Sequence, residues 1–95
     1  MGGLVALTFD ENEQYLFVCS HSGRGIYDLA TGERISRDYE VIYPQNGSID
    51  GIGPLNRINL QVSEYDFENQ LIVLSPSGKY RALGESDNII IEERP

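Results

Sequence analysis

Asp10, Asn12 and Gln14 stand at alternate positions, as oxygen ligands do in a calcium loop, and Asp66, Glu68 and Gln70 repeat the pattern. The helix-flanked calcium loop also needs glycine at its sixth position and a bidentate glutamate at its twelfth. Those positions hold Tyr15 or Leu71, and His21 or Ser77. A turn-initiating Asp that accepts the backbone N–H two residues on accounts for Asp10 and Asp66 with no metal. Cys19 and His21 could point the same way from a strand end, but tetrahedral zinc needs further ligands and the chain has no other Cys or His. Any Ser or Cys nucleophile would have to use His21, and no Gly-x-Ser-x-Gly elbow exists. Gly23-Arg24-Gly25 and Gly51-Ile52-Gly53 lack both the third glycine and the helix of a dinucleotide fingerprint. Glu64, Asp66 and Glu68 are close enough to work as paired carboxylates, although an acidic chain produces such clusters by chance. The expectation is a protein that is not an enzyme, with no catalytic residue, no cofactor and no metal ligand.

Fifteen acidic residues stand against seven basic ones, a formal net charge of −8. On 95 residues that charge repels phosphate backbones and anionic lipid heads, so neither nucleic acid nor membrane is an expected partner. It serves solubility, or it complements a basic partner, or it mimics nucleic acid. The apolar runs 71–74 and 89–91 fall far short of the roughly 20 residues that span a bilayer. One cysteine closes no intramolecular disulfide and no basic head precedes an apolar run, so the expected location is the reducing cytoplasm.

The elements that must position these groups are strands. Residues 4–9 and 15–19 form a hairpin around the polar loop 10–14, and the second strand is apolar on both sides, which places it centrally in its sheet. Gly23 and Gly25 supply the positive φ of a tight turn into the strand 26–29, and Thr31-Gly32 turns the chain into 33–35. Periodicity is then lost until Asn56, apart from a short edge strand at 41–42. Strands resume at 58–62, 71–74, 79–83 and 89–91. The chain reads as a single domain: one unit over about 3–36, a connector over 37–56, and a second unit over about 57–93. The fold class is all-β, two four-stranded antiparallel meanders packed as a sandwich or partly open barrel, with no helix longer than two turns. The named core is Leu7, Phe9, Leu16, Val18, Ile26, Leu29, Ile35, Ile58, Leu60, Val62, Ile72, Leu74 and Ile90.

The two units match each other in sequence. Phe9-Asp10 aligns with Tyr65-Asp66 and Gln14 with Gln70 (70 − 14 = 56), and after one deletion Ser22-Gly23-Arg24 aligns with Ser77-Gly78-Lys79 (78 − 23 = 55). This pairing sets Leu60 and Val62 against Leu4 and Ala6, although the bulkier face of the first strand is Val5, Leu7 and Phe9; either that strand is buried on both faces or the register has slipped. The residues 7–18, then Gly25-Ile26-Tyr27-Asp28-Leu29 and Thr31-Gly32-Glu33, resemble the blades of WD-type propellers. Tyr27-Asp28 stands where such blades carry Trp-Asp, and Ala82-Leu83 is the counterpart in the second unit. Two blades do not close a ring, so the resemblance implies a propeller only if several chains assemble.

Function is read from what remains. The expected class is a small acidic protein-binding module, an inhibitor or immunity-type protein that masks a basic partner. Its contacts would be Glu11 and Glu13 in the first hairpin loop, Glu64, Asp66 and Glu68 in the equivalent loop of the second unit, and Tyr39 and Tyr43 in the connector, where long loops often carry function. The alternative is an oligomeric, propeller-like binder of a small ligand or sugar, against which the lack of tryptophan counts. The chain is expected as a monomer or small homo-oligomer.

Overall fold

Alternation of apolar side chains along the first twenty residues builds β1 (Leu4–Phe9) and β2 (Tyr15–Ser20) of the computed structural model, which describes residues 4–40, 42–61, 71–85 and 88–93. Leu7 faces Val18 and Phe9 faces Leu16 across this antiparallel pair. The turn that follows needs Gly23: its φ is 136°, and a Cβ there would collide with the Asp38 carbonyl oxygen. Gly25, expected to share that role, lies instead inside β3 (Gly23–Asp28) opposite Val18, without a positive φ. With β4 (Arg34–Asp38) the strands form one antiparallel sheet in the order β1-β2-β3-β4. The four-stranded first meander is present.

β2 is apolar on both sides because it is covered on both sides: Leu16, Phe17, Val18 and Cys19 are all buried. β1 behaves likewise, with Val5, Ala6, Leu7 and Phe9 buried. One face of the sheet, with Ala6, Phe17, Cys19 and Ile26, packs against Ile49, Ile52, Leu55 and Leu60. The other, with Leu7, Phe9, Leu16 and Val18, packs against Val73 and Ala82. Full burial of Phe17 alone is worth about 2–3 kcal/mol of transfer free energy.

The connector is not the unstructured crossover that its turn-rich composition suggests. It forms β5 (Ser48–Asp50) and a 3-10 turn at Gly53–Leu55, and β5 pairs with β6 (Asn59–Gln61), Ile49 opposite Leu60. Thr8 fastens this ribbon to the first sheet by donating its hydroxyl to the Gln61 carbonyl at 2.7 Å. The strand expected at 58–62 is therefore bonded to the connector, and β7 (Leu71–Leu74), β8 (Tyr80–Glu85) and β9 (Asn88–Glu93) form a three-stranded sheet of their own. Ile42 is outside any strand, and its expected partner at position 41 lies outside the described residues, as does Val62 of the named core.

Of that core, Leu7, Phe9, Leu16, Val18, Ile26 and Leu60 are buried and Leu29 packs against the second cluster. Ile35, Ile58, Ile72, Leu74 and Ile90 are exposed. Each has a local cause. Ile35 falls between Arg34, opposite Tyr27, and Ser36, opposite Ile26, and is thus the unpaired residue of a bulge. Ile58 follows Arg57, whose φ of 70° swings the chain before β6 begins. Ile72, Leu74 and Ile90 sit on the face of the second sheet that is turned away from Val73, Ala82 and Ile91.

The two sheets repeat one another, at a spacing different from the sequence match. Tyr15–Ser20 answers to Tyr80–Glu85 (80 − 15 = 65) and Gly23–Asp28 to Asn88–Glu93 (88 − 23 = 65). Registers agree as well: Phe9 faces Leu16 as Leu74 faces Arg81, and Tyr15 faces Asp28 as Tyr80 faces Glu93. Ser77-Gly78 thus corresponds to Asn12-Glu13 and not to Ser22-Gly23, one loop away from the sequence alignment. Applying the spacing of 65, the inward residues Val73, Ala82 and Ile91 answer to Thr8, Phe17 and Ile26 on the connector side of the first sheet. The front of the second sheet therefore lies on the back of the first.

Candidate functional site

Strand direction separates the expected contact residues into two groups. The loop 10–14 and the end of β3 at Asp28 lie at one end of the first sheet, whereas His21, Asp38 and the start of the connector lie at the other. Six-residue strands at roughly 3.3 Å per residue keep these ends about 20 Å apart. Glu11 and Glu13 therefore do not share a surface with Tyr39 and Tyr43. Glu64, Asp66 and Glu68 lie outside the described residues.

At the loop end, Asp10 is buried and organises the turn around its carboxylate. Oδ1 accepts the N–H groups of Gln14 and Tyr15, each at 2.8 Å, and Oδ2 accepts that of Asn12 at 3.2 Å. The alternation of Asp10, Asn12 and Gln14 is the footprint of this backbone capping. Ser75 takes the same part in the second sheet, its hydroxyl oxygen accepting the Tyr80 N–H at 3.0 Å. The residue three places after each anchor has a positive φ, Glu13 at 56° and Gly78 at 80°.

Glu13 is occupied within the chain. Its carboxylate accepts the Ser77 hydroxyl at 2.7 and 2.8 Å and the Ser77 N–H at 3.3 Å, tying the first loop to the turn between β7 and β8. The Ser75 and Ser77 hydroxyls hold its carboxyl below the usual glutamate range. Glu11, by contrast, is exposed.

Beside this tie lies a cleft of about 320 Å³ walled by Tyr15, Leu29 and Tyr80, with Glu13 and Asp28 at its edge. Tyr80 is stacked on Phe9 with ring centroids 6.3 Å apart. Lys79 lies 5.2 Å over the Tyr80 ring and 3.6 Å from Glu93, and both neighbours, Tyr80 first, favour its charged form. The cleft joins aromatic walls to two carboxylates, a lining suited to an ammonium or guanidinium group. Asp28, Tyr15 and Tyr80 were not among the expected contact residues; the Asp10-to-Tyr15 and Ser75-to-Tyr80 spacing is the sequence signal that links them.

At the opposite end, Tyr39 is 71% exposed with the Arg37 guanidinium carbon 4.4 Å from its ring centre. The Tyr43 hydroxyl is 3.0 Å from His21 Nδ1. Cys19, two residues before His21, is fully buried and directs its thiol to the Ile42 carbonyl at 3.2 Å. Burial pushes that thiol up to about 11, so it is neither nucleophile nor thiolate ligand near neutral pH. Arg24 is buried beneath this end and joins the Asp50 carbonyl at 2.9 Å to the Asp38 carboxylate. Among the described residues no group of three or more His, Cys, Asp and Glu is placed to hold a metal ion.

Compared with protein-family models, with curated proteins and with solved structures, the chain matches none of them.

Proposed function

We propose that this chain is a non-enzymatic binding module that receives a basic protein, in the manner of an inhibitor or immunity-type protein. The observation that carries this reading is the cleft in which Tyr15 and Tyr80 flank Glu13 and Asp28 on a chain of net charge −8. A lysine or arginine of the partner enters the cleft, and Glu11, exposed in the loop that carries Glu13, joins Glu64, Asp66 and Glu68 as further acidic contacts. The two meanders facing one another form the scaffold that holds the cleft walls, and the setting is the cytoplasm. The front-to-back relation of the sheets supports a second, blade-like reading as an assembled ligand binder, although the ribbon β5–β6 covers the face through which a ring would close.

The test is retention of basic proteins from the source cell at low and at high salt, followed by association rates. Glu11→Gln with Asp28→Asn should slow association about three- to tenfold at low salt and flatten its salt dependence, because rim charges act mainly on encounter. Glu13 is left intact, since it holds Ser77. A retained partner indifferent to both changes but lost on Tyr39→Ala or Tyr43→Ala would move the site to the opposite end.

A further inference from the structure

The back of the first sheet is covered by the front of the second, and among the described residues nothing lies on the equivalent back of the second sheet. Across it run Ile72, Leu83 and Ile90, each opposite the next on β7, β8 and β9. Ile72 is 53% and Ile90 45% exposed, and Leu74 in the neighbouring row is 52% exposed. That row continues with Arg81 and Glu92, whose side chains pair at 2.8 Å. Stacked units leave such a face only where the stack ends, and stable ends carry a polar cap. Here the ribbon β5–β6 caps the first sheet, and among the described residues nothing caps the second.

From this we infer that the outer face of β7–β9 is a self-association surface, occupied by a second copy of this chain packed back to back. Front-to-back addition of a copy is blocked, since the front of the first sheet is already under Ile49, Ile52, Leu55 and Leu60. Elsewhere a net charge of −8 sets copies against each other, whereas at the centre of this face Arg81 is matched by Glu92. A two-fold axis parallel to the strands and between β8 and β9 sets Leu83 over the second copy's Ile90 and Arg81 over its Glu92, a self-complementary arrangement. Three strands of about five residues offer only about 250 Å² in projection. Stable interfaces use about 800 Å² per partner, so this dimer is weak, with Kd in about the 10 µM to 1 mM range.

Sedimentation of the full chain over that concentration range should show a reversible monomer–dimer equilibrium, and methyl resonances of Ile72, Leu83 and Ile90 should shift on dilution. Ile90→Glu should raise Kd at least tenfold, by about 1.4 kcal/mol or more. Arg81→Glu and Glu92→Arg should each abolish self-association, while a one-to-one mixture of the two variants restores a dimer. The mixture distinguishes a lost interface from a lost fold, because misfolded variants would not rescue each other. A chain that stays monomeric at 1 mM with concentration-independent methyl shifts overturns the inference, as does a dimer that survives Ile90→Glu.

Discussion

Strands β2 and β3 of the first sheet are matched in length and register by β8 and β9 of the second, yet the first sheet is covered on both faces and the second, among the described residues, on one. The residues reflect this difference. β2 runs through Leu16, Phe17, Val18 and Cys19, all buried, whereas its counterpart β8 runs through Arg81, Ala82, Leu83 and Gly84, with the small Ala82 inward against the first sheet and Arg81 and Leu83 on the outer face. Matching pairing of these strands therefore supports two different energetic roles. The first sheet holds the core together; the second lends one face to it and keeps the other for solvent or for a partner.

Substitutions at equivalent positions put that division under strain. The largest effect belongs to Phe17→Ala, which empties space beneath Ile52 and Leu55 and should cost about 3–5 kcal/mol in denaturant unfolding. A cost below about 1 kcal/mol would mean that the connector does not cover the sheet. Next comes Gly78→Ala, which forces a Cβ into φ 80° and should cost about 1 kcal/mol, although it meets no neighbouring atom. Ile72→Thr on the open face should change monomer stability by less than about 0.5 kcal/mol, measured below the self-association range.

What the sequence could convey follows the same boundary. The first meander is legible because Leu7, Phe9, Leu16 and Val18 alternate strictly and because Asp10 and Gly23 punctuate the strands. The burial of β2 on both faces is legible too, since no polar residue interrupts 15–19. Ile72, Leu74 and Ile90 are misread as core because alternation states which residues share a face, not which face another layer covers. Ile49, Ile52 and Leu55 are missed for the opposite reason: they are buried one at a time between turn formers, with no period to reveal them. The cleft combines both difficulties, since Tyr15 and Tyr80 meet only through the front-to-back packing, and the sequence alignment sets Ser77-Gly78 one loop out of place.

The smallest effect sharpens the comparison at the tie between the two loops. Glu13 is held below the usual glutamate range by the serine hydroxyls, so the stability it contributes is complete above the unfolded value of about 4.3 and is lost as pH falls through its lowered folded value. Asp38 acts in the same sense, through the Glu40 N–H first and Arg24 second. Glu13→Gln should leave a shallower loss of stability between about pH 4.5 and 2 than the parent shows. An unchanged acid profile would mean that the two loops are not coupled in solution.

Cys19 turns the packing of the first sheet into a clock. It is the only thiol in the chain, it sits under the ribbon side of β2, and its burial keeps it protonated to about pH 11. A thiol reagent can reach it only when the connector lifts from the sheet or the whole chain opens. Labelling rate against reagent concentration then separates opening frequency from open population, without any engineered probe. Weakening the ribbon by Thr8→Val, which removes the hydroxyl bond to Gln61, should accelerate that labelling more than it lowers global stability if the connector opens on its own.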